Sequence, residues 1–175
     1  GLDLSEKMIA EARARNADPR IRYEVCGIAE YSYPAGYYDL VVSNLALHYL
    51  ADLDDIYRKV FSTLRPGGVF LFNIEHPVFT AGVREDWVRD TEGRPVCWPV
   101  DNYYYPGERT TLFLGQEVKK QHHTLTQILM GLIRCGFVLE AVEEAMPDPS
   151  MLDLPGMADE MRRPMMLLVK ARKPV

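Results

Sequence analysis

Short apolar runs alternate along this chain with stretches whose apolar residues recur every three to four positions. Tyr38-Asp39-Leu40-Val41-Val42-Ser43 is such a run, read as a buried parallel strand. From Asp52 to Leu64 the period changes: Leu53, Ile56, Tyr57, Val60, Phe61 and Leu64 fall on one helical face. Arg65-Pro66-Gly67-Gly68 stops that helix, and Val69-Phe70-Leu71-Phe72-Asn73-Ile74 follows as a second buried run. Strands joined through a helix pair in parallel, because a hairpin cannot make that crossover. The pattern therefore predicts an α/β fold with a mostly parallel sheet.

The flanking segments extend the alternation. Gly1-Leu2-Asp3-Leu4 reads as the end of a buried strand, Ser5 as the N-cap of a helix over 5–16, and Ile21 to Val25 as a strand. Thr124-x-x-Gln127 is a capping box, and its helix carries Leu125, Ile128, Leu129, Leu132 and Ile133 on one face up to Cys135-Gly136. Phe137 to Ala145 and Pro164 to Ala171 read as two last strands. Only an irregular Met- and Pro-rich segment joins them, so they are expected to pair antiparallel. Residues 77–120 lose periodicity and are rich in Pro, Gly, Trp and Tyr, as a functional insertion or lid would be.

The 175 residues suit a single domain over 1–175. A net charge of −5 offers no basic face for nucleic acid or an anionic membrane. No run approaches the length of a membrane span, and no signal peptide is recognisable. Cys26, Cys97 and Cys135 are far apart and form no disulfide framework, which fits a reducing, cytoplasmic setting. There is no HxH or HExxH spacing, so no metal is expected. Cys26 and Cys135 flank expected buried elements and read as packing residues, since no adjacent base is apparent.

GLDLSEKM, then YYDLVVSNLALHYL, then LRPGGVFLFNIEHP resembles the class I S-adenosylmethionine-dependent methyltransferases, in order and in spacing. The likeness covers residues 1 to about 77 and is nearest to small bacterial enzymes with EHP after the fifth strand. It implies a Rossmann-like fold, S-adenosylmethionine as cofactor, a small-molecule methyl acceptor, and residues 77–120 over the acceptor site. Asp3 matches the acid that accepts from both ribose hydroxyls, a task suited to the two oxygens of a carboxylate. Leu4 and Met8 match apolar neighbours of the adenine, with Ile28 beside it, and Asn44 matches the end of the fourth strand, near the methionine part. The family often carries an Asp where this chain has Gly27, and that anchor is lost.

The resemblance also implies a first strand and a glycine-rich turn ahead of Gly1. The expectation is an N-terminally truncated enzyme with the first strand missing, or a non-catalytic module whose exposed strand edges pair with a partner, a second copy included. A nicotinamide-dependent dehydrogenase would share the acid after the second strand but fits the EHP stretch less well. Methyl transfer needs an in-line approach, a dry pocket and sometimes a base. His76 follows the fifth strand and is either an acceptor-side base or a structural loop histidine. His48 lines the acceptor pocket or is a half-buried helix residue, and His122 is the third catalytic candidate. Trp87, Trp98 and Tyr103-Tyr104-Tyr105 either close over a flat acceptor or form a small satellite core.

Overall fold

The computed structural model describes residues 1–82, 84–113 and 115–175, with Phe113 by its backbone alone. Contacts divide them into two units, residues 1–34 and residues 35–175.

In the first unit, β1 (Leu2–Asp3) lies parallel to β2 (Glu24–Val25), with Asp3 opposite Val25. Helix α1 (Glu6–Arg15) separates them. Its predicted cap is present: Ser5 Oγ accepts the Met8 N–H at 3.3 Å. Glu6 in the first turn and Arg13 and Arg15 in the last complement the helix dipole. Ile9 is buried, while Met8 faces out. The strand expected from Ile21 is confined to two residues, because β1 has only two to pair with.

The second unit is built on a four-stranded sheet, and its elements run in chain order as follows. Strand β3 (Tyr38–Asn44) leads through a 3-10 turn (Leu47–Tyr49) into α2 (Leu53–Thr63) and then β4 (Leu64–Glu75). After the short α3 (Pro77–Thr80) come the pair β5 (Val88–Arg89) and β6 (Pro95–Cys97), then the pair β7 (Gly107–Phe113) and β8 (Gln116–His122). Helix α4 (Leu125–Cys135), β9 (Val138–Ala145), α5 (Met157–Glu160) and β10 (Met166–Arg172) complete it. The sheet order is β3-β4-β10-β9. Strands β3 and β4 are parallel, and β10 is antiparallel to both β4 and β9. So β10, the last strand in the chain, alone runs against the others in this sheet.

Helices α2 and α4 cover one face. Tyr57, Ile56 and Val60 of α2 and Ile128 and Leu132 of α4 are buried with Phe70 and Phe72 of β4. The two helices approach closely because position 131 is glycine: a Cβ there would meet the Tyr57 ring at 2.9 Å and Asp54 Oδ1 at 2.7 Å. The predicted capping box is formed by Thr124 and Gln127, and Gly136 closes the helix at φ 103°.

Three expectations change. Strand β3 is an edge of this sheet rather than a buried strand, with Leu40 and Val42 exposed. Arg65-Pro66-Gly67-Gly68 ends α2 but lies inside β4, as an irregularity where the register jumps from Tyr38–Leu64 to Leu40–Val69. Residues 77–120 are not irregular throughout: β7 and β8 pair residue for residue from Gly107–His122 to Phe113–Gln116. The buried side of β8 carries Lys120 and His122, so its two-residue period shows no apolar alternation. Its exposed side is stitched by Lys119 to Glu108 at 2.9 Å.

Candidate functional site

Parallel strands present ligand sites at their carboxyl ends. In the first unit that end is Asp3. Its Oδ1 accepts the Ser5 N–H at 2.7 Å, which fixes the carboxylate at the mouth of α1. Leu4 and Met8 flank it and are 78% and 58% exposed, an unusual pairing of apolar surface with a fixed acid. Gly27 is buried one residue after Cys26, whose N–H bonds Asp3 O at 3.0 Å. A Cβ on Gly27 would lie 1.9 Å from Glu30 Oε2 and 3.2 Å from Leu4 Cδ2. The Glu30 carboxylate therefore reaches back over the position where the resemblance expects an acid. Ile28 is half-buried, and its carbonyl accepts the Tyr33 hydroxyl at 2.7 Å. The residues expected to hold adenosine, Asp3, Leu4, Met8 and Ile28, thus sit in one unit, and a carboxylate beside exposed apolar side chains fits a ribose and an adenine.

In the second unit, Asn44 ends β3 and accepts from Asn73 Nδ2 of β4 at 3.2 Å. The next residue, Leu45, holds φ 52°, a costly conformation for a side chain of that size. Strand β4 ends at Glu75, and here the structure assembles a group that sequence reasoning missed. Lys120 of β8 is 2% exposed, and its Nζ lies 2.7 Å from Glu75 Oε1 and 3.0 Å from Glu85 Oε2. The other oxygens, Glu75 Oε2 and Glu85 Oε1, are buried with no hydrogen-bond partner among the described residues. Burial pushes the Glu75 carboxyl above its ordinary range, against the pull of Lys120. Burial also draws the Lys120 ammonium down, but Glu75 and Glu85 outweigh it and raise its pKa. Phe79 of α3 lies under the ammonium at 5.7 Å and stacks on Trp98 at 5.1 Å. Arg163, 4.4 Å from the Trp98 ring centroid, is committed to Glu160 at 2.7 and 3.0 Å.

The three catalytic candidates lie in or around this group, each with at least one ring nitrogen in a hydrogen bond. The His48 Nδ1 accepts the Glu75 N–H at 3.5 Å, which leaves the proton on Nε2, 3.8 Å from Glu75 Oε1. Burial, helped by the Lys120 charge, lowers its pKa to about 4, so it is neutral at pH 7. The His76 Nδ1 caps α3 by accepting the Val78 N–H at 3.0 Å, and its Nε2 lies 2.9 Å from Glu144 Oε1. Its pKa is lowered by burial despite the nearby Glu144. His122 is fully buried, with Nε2 2.9 Å from Tyr103 O and Nδ1 2.7 Å from Thr80 Oγ1. Facing a carbonyl, Nε2 must donate, so Nδ1 accepts the Thr80 hydroxyl proton. His123 Nε2 is 2.8 Å from Leu50 O and ties β8 to the turn after β3. The signal for Lys120 was its place in Lys119-Lys120-Gln121-His122-His123-Thr124, a stretch that resembles a family segment with a basic residue and a His before the Thr, but a lysine amid polar residues reads as surface. Among the described residues, no group of three His, Cys, Asp or Glu side chains could hold a metal ion, and no helix is long and apolar enough to cross a membrane.

Comparison with known proteins gives a consistent picture. The family of methyltransferase domains matches residues 1–72. An S-adenosylmethionine-dependent methyltransferase from Mesorhizobium loti is 45% identical, with a TM-score of 0.89 over 99% of this chain and 79% of that one. A Listeria monocytogenes structure assigned to the same class is also 45% identical, with a TM-score of 0.95 over 100% of this chain and 79% of its own. A trans-aconitate 2-methyltransferase from Deinococcus radiodurans is 36% identical over 92 residues, 49% of this chain and 34% of that protein.

Proposed function

The chain belongs to the S-adenosylmethionine-dependent methyltransferases, and from that premise we propose that it transfers the methyl group to a small-molecule acceptor bound beside the carboxyl end of β4. The cofactor supplies an electrophilic methyl carbon on a sulfonium. Asp3 receives the ribose hydroxyls, and Leu4, Met8 and Ile28 supply apolar contact to the adenine. Glu30, lying over Gly27, takes the acceptor role toward the adenine amino group. On the acceptor side, Glu75 and His48 line the site, while His76 and His122 hold its frame through Val78 and Thr80.

The observation that carries the reading is the Asp3 turn: a carboxylate fixed by the Ser5 N–H at 2.7 Å between two exposed apolar side chains. Calorimetric titration with S-adenosylhomocysteine tests it. Micromolar binding that Asp3→Ala weakens at least tenfold supports the assignment. Binding that Asp3→Ala leaves unchanged removes Asp3 from the cofactor site.

A further inference from the structure

The Glu75–Lys120–Glu85 group is built differently from an ordinary buried ion pair. Two carboxylates share one ammonium, so the group carries one negative charge in excess whenever both acids are ionised. His48, with Nε2 3.8 Å from Glu75 Oε1, is neutral and cannot compensate. Arg163, a second cation over Phe79, gives both its Nη groups to Glu160. Each acid keeps one oxygen buried and without a partner among the described residues, and the side chains are only 9% and 7% exposed. Leaving such an acceptor unmet costs about 1–3 kcal/mol, more when it is charged. Glu85 is also held at φ 49°, a strained backbone for a long side chain. Two unmet acceptors, kept at the end of a parallel strand against an aromatic wall, call for donors from a ligand.

Resting on the methyl-transfer reading above, we propose that Glu75 and Glu85 receive the acceptor's own N–H or O–H groups, and that the acceptor's nucleophile is a nitrogen or oxygen still bearing hydrogen. A carboxylate acceptor brings no such donor and adds a second uncompensated negative charge to a buried site. In the reaction the acceptor heteroatom forms its bond to the methyl carbon. The sulfur–methyl bond breaks with its electron pair going to sulfur, and the heteroatom's proton passes to Glu75 Oε2. Lys120 holds Glu75 Oε1 throughout and keeps Oε2 pointed at the acceptor.

The test uses radiolabelled S-adenosylmethionine and two matched acceptor panels, one of amines and phenols, one of di- and tricarboxylates. Binding of S-adenosylhomocysteine is measured first, and its absence overturns the methyl-transfer reading itself. With binding established, label in the amine and phenol panel is expected. Glu75→Gln should then lower kcat at least 100-fold, with S-adenosylhomocysteine affinity kept within twofold. It should also abolish the acidic limb of the kcat profile, a readout that a purely structural role would not move. Glu85→Gln should raise KM more than it lowers kcat. Label only in carboxylates, label in neither panel, or a Glu75→Gln variant with wild-type kcat overturns the proposal.

Discussion

Replacing Lys120 with Met removes a buried cation from the second unit while nearly preserving its volume. Nζ makes ion pairs of 2.7 and 3.0 Å, each worth roughly 6 kcal/mol at an effective dielectric near 20. Against that stands a desolvation penalty of several kcal/mol per ion, so the intact trio stabilises the fold little relative to apolar residues. The variant does not reach that apolar state. It leaves Glu75 and Glu85 buried together and uncompensated, a loss of about 3–5 kcal/mol. The burial that already raises the Glu75 pKa offers partial relief, since a neutral Glu75 removes one charge. The cost should therefore be greatest near pH 8 and smaller near pH 5. Urea unfolding followed by the fluorescence of Trp87 and Trp98, both in this unit, measures it. Adding Glu75→Gln and Glu85→Gln to Lys120→Met should recover most of the lost stability. A single variant within ~1 kcal/mol of wild type at pH 8, or a cost that does not change with pH, would refute the reasoning.

Acid should weaken the same unit. The pKa of His48 is held at about 4, below its ordinary value of 6.5, so the unfolded chain takes up this proton first as pH falls. Stability is complete above pH 6.5 and declines toward pH 4, by on the order of 3 kcal/mol from His48 alone. His76, His122 and His123 are shifted the same way and add to it, while Glu75 opposes it. His48→Gln should flatten the urea-midpoint profile between these limits, and an unaltered slope would exclude His48 as its source. Gly131→Ala should destabilise by up to about 2 kcal/mol, because overpacking against Tyr57 and Asp54, about 1–3 kcal/mol, exceeds the ~1 kcal/mol gain in helix propensity. A higher melting temperature would show that α4 can shift. Glu30→Gln should weaken S-adenosylhomocysteine binding about tenfold by calorimetry, an effect of ~1.4 kcal/mol. Unchanged affinity would leave Gly27 without a substitute acid.

Local chemistry was enough to reveal much of this protein. Ser5, Thr124 with Gln127, and Gly136 name helix ends because a cap is satisfied within a few residues of itself. The period of α2 identifies its buried face, and the place of Asp3 at a strand end before a capped helix was legible too. Tertiary structure alone decided what depends on distant partners. Strand β8 hides its buried side because Lys120 and His122 are made tolerable there by Glu75, Glu85, Thr80 and Tyr103. Those partners lie between 19 and 45 residues away. The exposure of Leu40 and Val42 likewise follows from the sheet face they occupy, opposite α2 and α4, where Leu71 of β4 is exposed beside Val42, and no period can announce which face is covered. Burial of a charge is a property of the company it keeps. A sequence records the charge, and only the fold supplies the counter-charge that permits its burial.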